Sequence, residues 1–216
     1  MTPNRVTAAR VAAAFTAVAL FHFGADALAA DVAAVLLTVA AIALDGLDGY
    51  LARTRGLATP LGAQIDILGD RVVENLFFTF FAVSGLVTLW VPVLFFARGA
   101  VTDFLRGLAA RSGRNGFDRT WMLDTWWGRT LVASRASRGA YAVLKCVCFC
   151  CLGILLPLRH LPLVQFNSWL LGVGHGLTGI TAAFCLVRGI PVIWEGRRYF
   201  ASARKSPPVM AAGVIR

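Results

Sequence analysis

Four aspartates fall within one short stretch, "LDGLDGYLARTRGLATPLGAQIDILGD", at positions 45, 48, 66 and 70. Asp45 and Asp48 are three apart and Asp66 and Asp70 four apart, so on helices each pair lies on one face. Pro60 sits in the short connection between them, which predicts two antiparallel neighbouring helices that bring the pairs together. Four carboxylates converging in a low dielectric repel strongly and call for cations. Oxygen-only donors suit hard divalent ions, Mg²⁺ or Mn²⁺. Two such ions balance four carboxylates, an arrangement suited to displacement at phosphorus. Gly46, Gly49, Gly62 and Gly69 keep these helix faces bare for close approach. Arg53, five residues after Asp48, can offer a guanidinium fork to a diphosphate. The competing explanation is an ion-paired patch in which Arg53, Arg55 and Arg71 balance the acids. Intramembrane carboxylates are expensive, and four in register favour function.

The elements that must position these acids are membrane helices. The chain has 216 residues, 58% hydrophobic and 15% charged, with mean hydropathy +0.70, well outside the usual range of a water-soluble domain. We read an all-α polytopic membrane protein with six transmembrane helices, at about 9–25, 31–52, 63–88, 91–110, 139–158 and 166–188. A short interfacial helix from Pro3 to Arg10 precedes them. Residues 1–195 form the membrane domain and 196–216 a basic, loosely ordered cytoplasmic tail. The N-terminus has the outline of a signal peptide, but its removal would leave an odd number of spans and spoil the charge asymmetry described next.

The net charge is +10. Arg5 and Arg10, Arg53 and Arg55, the run from Arg111 to Arg138, and Arg188 to Lys205 all fall on one side, while "GADALAAD" and "TLWVPV" carry no Lys or Arg. This is the positive-inside pattern. It puts both termini and the aspartates at the cytoplasmic face of what we read as a bacterial inner membrane. No nucleic-acid motif accompanies the charge, so nucleic acid is not an expected partner; anionic lipid is. The cluster "CVCFCC" fits no metal spacing and reads as small apolar residues on a helix. His22, His160 and His175 are isolated and receive no catalytic role. Segment 110–138 is the longest polar stretch, with "TWMLDTWW" suited to the headgroup level.

The spacing Asp45-x-x-Asp48-Gly49-x-x-Ala52-Arg53, eight residues, Gly62, three residues, Asp66, three residues, Asp70 resembles the signature of the CDP-alcohol phosphatidyltransferase family at every fixed position. "TPNRVTAAR" is also similar to the family's usual opening. The resemblance implies that a CDP-linked lipid, usually CDP-diacylglycerol, is attacked at its lipid-side phosphorus by an alcohol, with release of CMP. It implies that Asp45, Asp48 and Asp66 bind the metals, that Asp70 binds metal or serves as the catalytic base, and that Gly49, Ala52, Arg53 and Gly62 contact the CDP group. Spacing alone leaves the base open among the four acids.

The acceptor is read from the arginines. Arg98, Arg106, Arg135 and Arg138 are candidates for a phosphate site, and Ala97-Arg98, six residues, Leu105-Arg106 is similar to a stretch of the phosphatidylglycerophosphate synthases within that family. Glycerol-3-phosphate is the expected acceptor, with inositol phosphate or another polar alcohol next. Asp103 departs from that pattern unless it pairs with Arg106, three residues on. Glu74, four residues after Asp70, is expected to make a helix ion pair, with orienting Arg71 or a metal-bound water as the alternative. Homodimers are common in the resembled family. The rival from another class is a divalent-cation transporter, which would need its acids near the midplane rather than beside Arg53 and Arg55 at one edge.

Overall fold

In a computed structural model the described residues are 3–24, 27–54, 60–111, 123–158 and 168–205. They form long helices and no strand: α1 (Pro3–Phe23), α2 (Leu28–Thr54), α3 (Pro60–Val83), α4 (Trp90–Arg111), a short α5 (Trp126–Gly128) continued by a π-turn (Arg129–Ala133), α6 (Arg135–Leu158) and α7 (Ser168–Lys205). The expected all-α architecture holds, and each expected span overlaps a helix, although the helix of the third, expected to reach 88, ends at Val83. Pro60 opens α3, where a missing N–H costs nothing. The Pro3–Arg10 stretch expected to lie on the membrane surface forms the first turns of α1, because nothing between Arg5 and Phe23 breaks the helix. α7 runs on past Arg188 and through Pro191 to Lys205. Residues 196–205, read from sequence as loosely ordered tail, are therefore helical.

Three described stretches are long and apolar enough to cross a membrane by length and composition: Arg5–Phe23, Trp126–Leu156 and Trp169–Tyr199. Leu28–Leu44 is apolar but shorter, ending where the aspartates begin. α3 and α4 carry ionisable residues within their length, Asp66, Asp70, Arg71 and Glu74 in one and Arg98, Asp103 and Arg106 in the other. The helical architecture is that of a polytopic membrane protein; the count of six spans remains our proposal.

The chain divides into two compact units, each built from separated segments. Unit 1 comprises residues up to Ala97 together with Ala140–Phe184, and unit 2 comprises Arg98–Gly139 with the chain from Cys185 onward. In unit 1, α1 packs against both α2 and α3. Phe77, Phe78 and Phe81 put one face of α3 into the core. Phe78 meets Phe95 of α4 at 4.3 Å and Phe149 of α6 at 4.8 Å between ring centroids. α3 ends in a left-handed turn at Gly85, φ 77°. There Gly85 N donates to Ala82 O at 3.0 Å and Leu86 N to Phe81 O at 2.9 Å, closing the helix end while Leu86 and Phe81 stay buried.

Unit 2 has its own core of Leu105, Ala109, Leu123, Val132, Val192 and Tyr199. The far half of α7 organises it. Arg188 donates to Ser137 Oγ at 2.5 Å and to Val132 O at 3.2 Å. Glu195 accepts from Asp124 N at 2.6 Å and from the Thr125 hydroxyl. Arg198 donates to Asp124 Oδ2 at 2.5 Å. These bonds fix the described part of the 110–138 segment, residues 123–138, from Leu123 through the π-turn to the start of α6.

Candidate active site

Asp66 and Asp70 occupy successive turns of α3, on the face that α1 crosses. The crossing is close because of Gly69: a β-carbon there would stand 2.7 Å from Thr7 Cγ2 and 2.8 Å from Arg10 Nη2. Arg10 is thereby laid against both acids. Its Nη1 donates to Asp70 Oδ1 at 2.8 Å, and its Nη2 to Asp66 Oδ1 and to Asp66 O, both at 3.3 Å. The arginine side chain is 2% exposed and each carboxylate 42%, so the cation is inside and the acids open outward. Gly69 does supply the bare face expected of it, and α1 is what approaches.

Among the described residues Arg10 is an arginine bonded to both Asp66 and Asp70. Arg71 bonds Glu74 Oε2 at 3.1 Å. Glu74 is 2% exposed and is more than a helix ion pair: Tyr141 Oη donates to its Oε1 at 3.0 Å and Lys145 Nζ lies 3.4 Å from the same oxygen. A cavity of about 40 Å³, enough for a water molecule, is lined by Arg10, Asp70, Glu74 and Lys145 among others. Sequence reasoning missed Arg10 and Tyr141 as site neighbours. For Arg10 a signal existed, since it is the second of the two arginines in the "TPNRVTAAR" opening. For Tyr141 there was none.

Asp45, Asp48, Gly49, Ala52 and Arg53 lie in the last turns of α2, and their side chains fall outside the described residues, as does all of Arg55. Gly62 sits in the first turn of α3, partly buried. Among the described residues no three metal-ligating side chains converge, and two of the four expected acids are not in that set. The donors that are described fit a divalent cation in kind: two half-exposed carboxylates one helical turn apart, with Arg10 bonded to Oδ1 of each.

The expected acceptor arginines all belong to unit 2. Arg98 is 8% exposed, and its Nε has no hydrogen-bond partner. Arg106 pairs with Asp103 at 3.1 Å, the compensation its spacing allowed. Arg138 is exposed. Arg135 opens α6, with its side chain outside the described residues.

Helices carrying paired acids against an apolar bundle define a class, and comparison of the whole sequence agrees. A family model described as CDP-alcohol phosphatidyltransferase matches residues 1–180, and the chain belongs to that family. Its members generally depend on divalent cations. The chain is also 34% identical over 95 residues to "Probable phosphatidylglycerophosphate synthase" of Mycobacterium tuberculosis, in strains CDC 1551 / Oshkosh and ATCC 25618 / H37Rv alike. That match covers 44% of this chain and 46% of the relative, so the matched stretch spans about half the length of either protein.

Proposed function

We propose that the protein transfers a phosphatidyl group from CDP-diacylglycerol to a small alcohol and releases CMP, and that the alcohol carries a phosphate of its own, glycerol-3-phosphate first. The observation that carries the reaction class is the Asp66–Asp70 pair, one turn apart on α3 and held from one side by buried Arg10. Asp45, Asp48, Asp66 and Asp70 would hold two divalent cations, Mg²⁺ or Mn²⁺, which when bound would balance the four acids and polarise the substrate diphosphate. Gly49, Ala52, Arg53 and Gly62 contact the CDP group. The alcohol oxygen forms a bond to the lipid-side phosphorus, the bond from that phosphorus to CMP breaks, and the hydroxyl proton passes to an Asp70 carboxylate oxygen. Arg10 fixes the rotamer of Asp70 for that role.

The acceptor's charge rests on Arg98. Arg98 is 8% exposed and its Nε has no hydrogen-bond partner, and a buried N–H left unpaired is costly. A phosphorylated acceptor brings a phosphate dianion to it; choline brings no anion, and serine only a carboxylate beside its own ammonium. Arg106, Arg135 and Arg138 add to the same positive field. Inositol phosphate is the next acceptor in order. The charge asymmetry of the sequence supports a bacterial inner-membrane location with the site facing the cytoplasm, with membrane lipids and a second copy of the chain as partners.

The test is CMP release by purified protein with Mg²⁺ and CDP-diacylglycerol, comparing no acceptor, glycerol-3-phosphate, inositol phosphate, inositol and serine. CMP with glycerol-3-phosphate and a phosphatidylglycerophosphate product is the expected result. CMP with an unphosphorylated acceptor alone would overturn the choice of alcohol.

A further inference from the structure

Within unit 2 the stem of Arg98 lies across the backbone of α7 at Gly189. A β-carbon at that position would stand 3.1 Å from Arg98 Cγ, 3.3 Å from Nε and 3.8 Å from Cδ. The first two distances are tighter than most packed side chains show, so a larger residue at 189 displaces the arginine by a few tenths of an ångström. Backbone freedom does not account for this glycine, since among the described residues only Gly85 has a positive φ. Helix propensity opposes it. On the same helix Gly172, Gly176 and Gly179 have nothing within 4 Å of their notional β-carbons and Gly174 meets the apolar Leu155 at 2.7 Å, whereas Gly189 meets the stem of Arg98. The neighbouring Arg188 is tied to Ser137 and to the Val132 carbonyl. That anchors α7 at this point, and the adjustment to a β-carbon falls on Arg98.

We propose that Gly189 is a positioning residue for the anionic acceptor: it sets the depth at which the Arg98 guanidinium meets a phosphate monoester, and so selects a phosphorylated alcohol. This rests on reading Arg98 as a ligand of the acceptor phosphate. Steady-state kinetics on the full chain with Mg²⁺, varying glycerol-3-phosphate and CDP-diacylglycerol in turn, test both. Gly189→Ala raises KM for glycerol-3-phosphate about tenfold and leaves KM for CDP-diacylglycerol within about twofold. Gly172→Ala changes neither. In an Arg98→Ala background, Gly189→Ala adds nothing further. An unchanged acceptor KM in Gly189→Ala overturns the role of Gly189, as does an undiminished effect in the Arg98→Ala background. So does a rise in both KM values together with a fall in melting temperature, which assigns the glycine to packing alone. If Arg98→Ala itself leaves the acceptor KM unchanged, the acceptor reading falls and takes Gly189 with it.

Discussion

Arg10 of α1 and Asp70 of α3, sixty residues apart in sequence, meet at 2.8 Å with the arginine buried and the carboxylate half open. The same guanidinium reaches Asp66 one turn away. The arginine does what a cation would do for two acids on one helix face: it bridges them. Because it bonds from the buried side, the carboxylates remain presented outward.

That relationship gives the first prediction. Arg10→Gln removes the positive charge and leaves two carboxylates facing each other. We expect a stability loss of about 1–3 kcal/mol in EDTA, reduced from the usual value for a broken buried pair because the acids are half exposed. Divalent cations can replace the lost charge, so the loss should shrink in millimolar Mg²⁺. Thermal melts of wild type and variant in detergent, with and without Mg²⁺, read this directly. Equal losses in both conditions would mean that the acids do not take up the cation.

Glu74 supports a second. It is buried and bonded to Arg71, Tyr141 and Lys145. Glu74→Ala takes the shared carboxylate away from Arg71, Tyr141 and Lys145 and should cost about 3–5 kcal/mol. Tyr141→Phe removes one hydrogen bond to a charged acceptor and should cost about 1.5–3 kcal/mol. Denaturant titration in detergent orders the two. A Tyr141→Phe loss as large as that of Glu74→Ala would show that the tyrosine, rather than the carboxylate, is the hub.

The third concerns unit 2. Glu195 accepts the Asp124 amide at 2.6 Å. Glu195→Ala should raise hydrogen exchange at that amide by about tenfold or more, the equivalent of roughly 1.4 kcal/mol of local opening. Arg198→Ala should do less, since it touches Asp124 through the side chain, at 40% exposure. Unchanged exchange in Glu195→Ala would detach Glu195 from the ordering of this segment.

The helices themselves were readable from sequence, because apolar runs near membrane length leave few alternatives. The Asp66–Asp70 face followed from a spacing of four, and the Asp103–Arg106 pair from a spacing of three. What could not be read were contacts between distant segments. Arg10 looked like one more positive-inside charge, and nothing local says that Gly69 opens a path for it to α3. Glu74 was half legible: Arg71 lies three residues away on its own helix, whereas Tyr141 and Lys145 arrive on α6. The far end of α7 was misread because Pro191 and the basic residues after it resemble the end of a span. Arg188, Glu195 and Arg198 instead find partners in residues 123–137, and those contacts carry the helix onward.

The most direct test of the central claim is CMP release by Asp70→Asn and Asp66→Asn beside wild type, with Mg²⁺, CDP-diacylglycerol and glycerol-3-phosphate. Asparagine keeps the side-chain volume and removes the charge. We expect both variants to remain folded in detergent and to lose turnover by about 10²-fold or more, in the range for loss of a positioned acid–base group. Wild-type turnover in either variant would contradict the assignment of that carboxylate to the reaction.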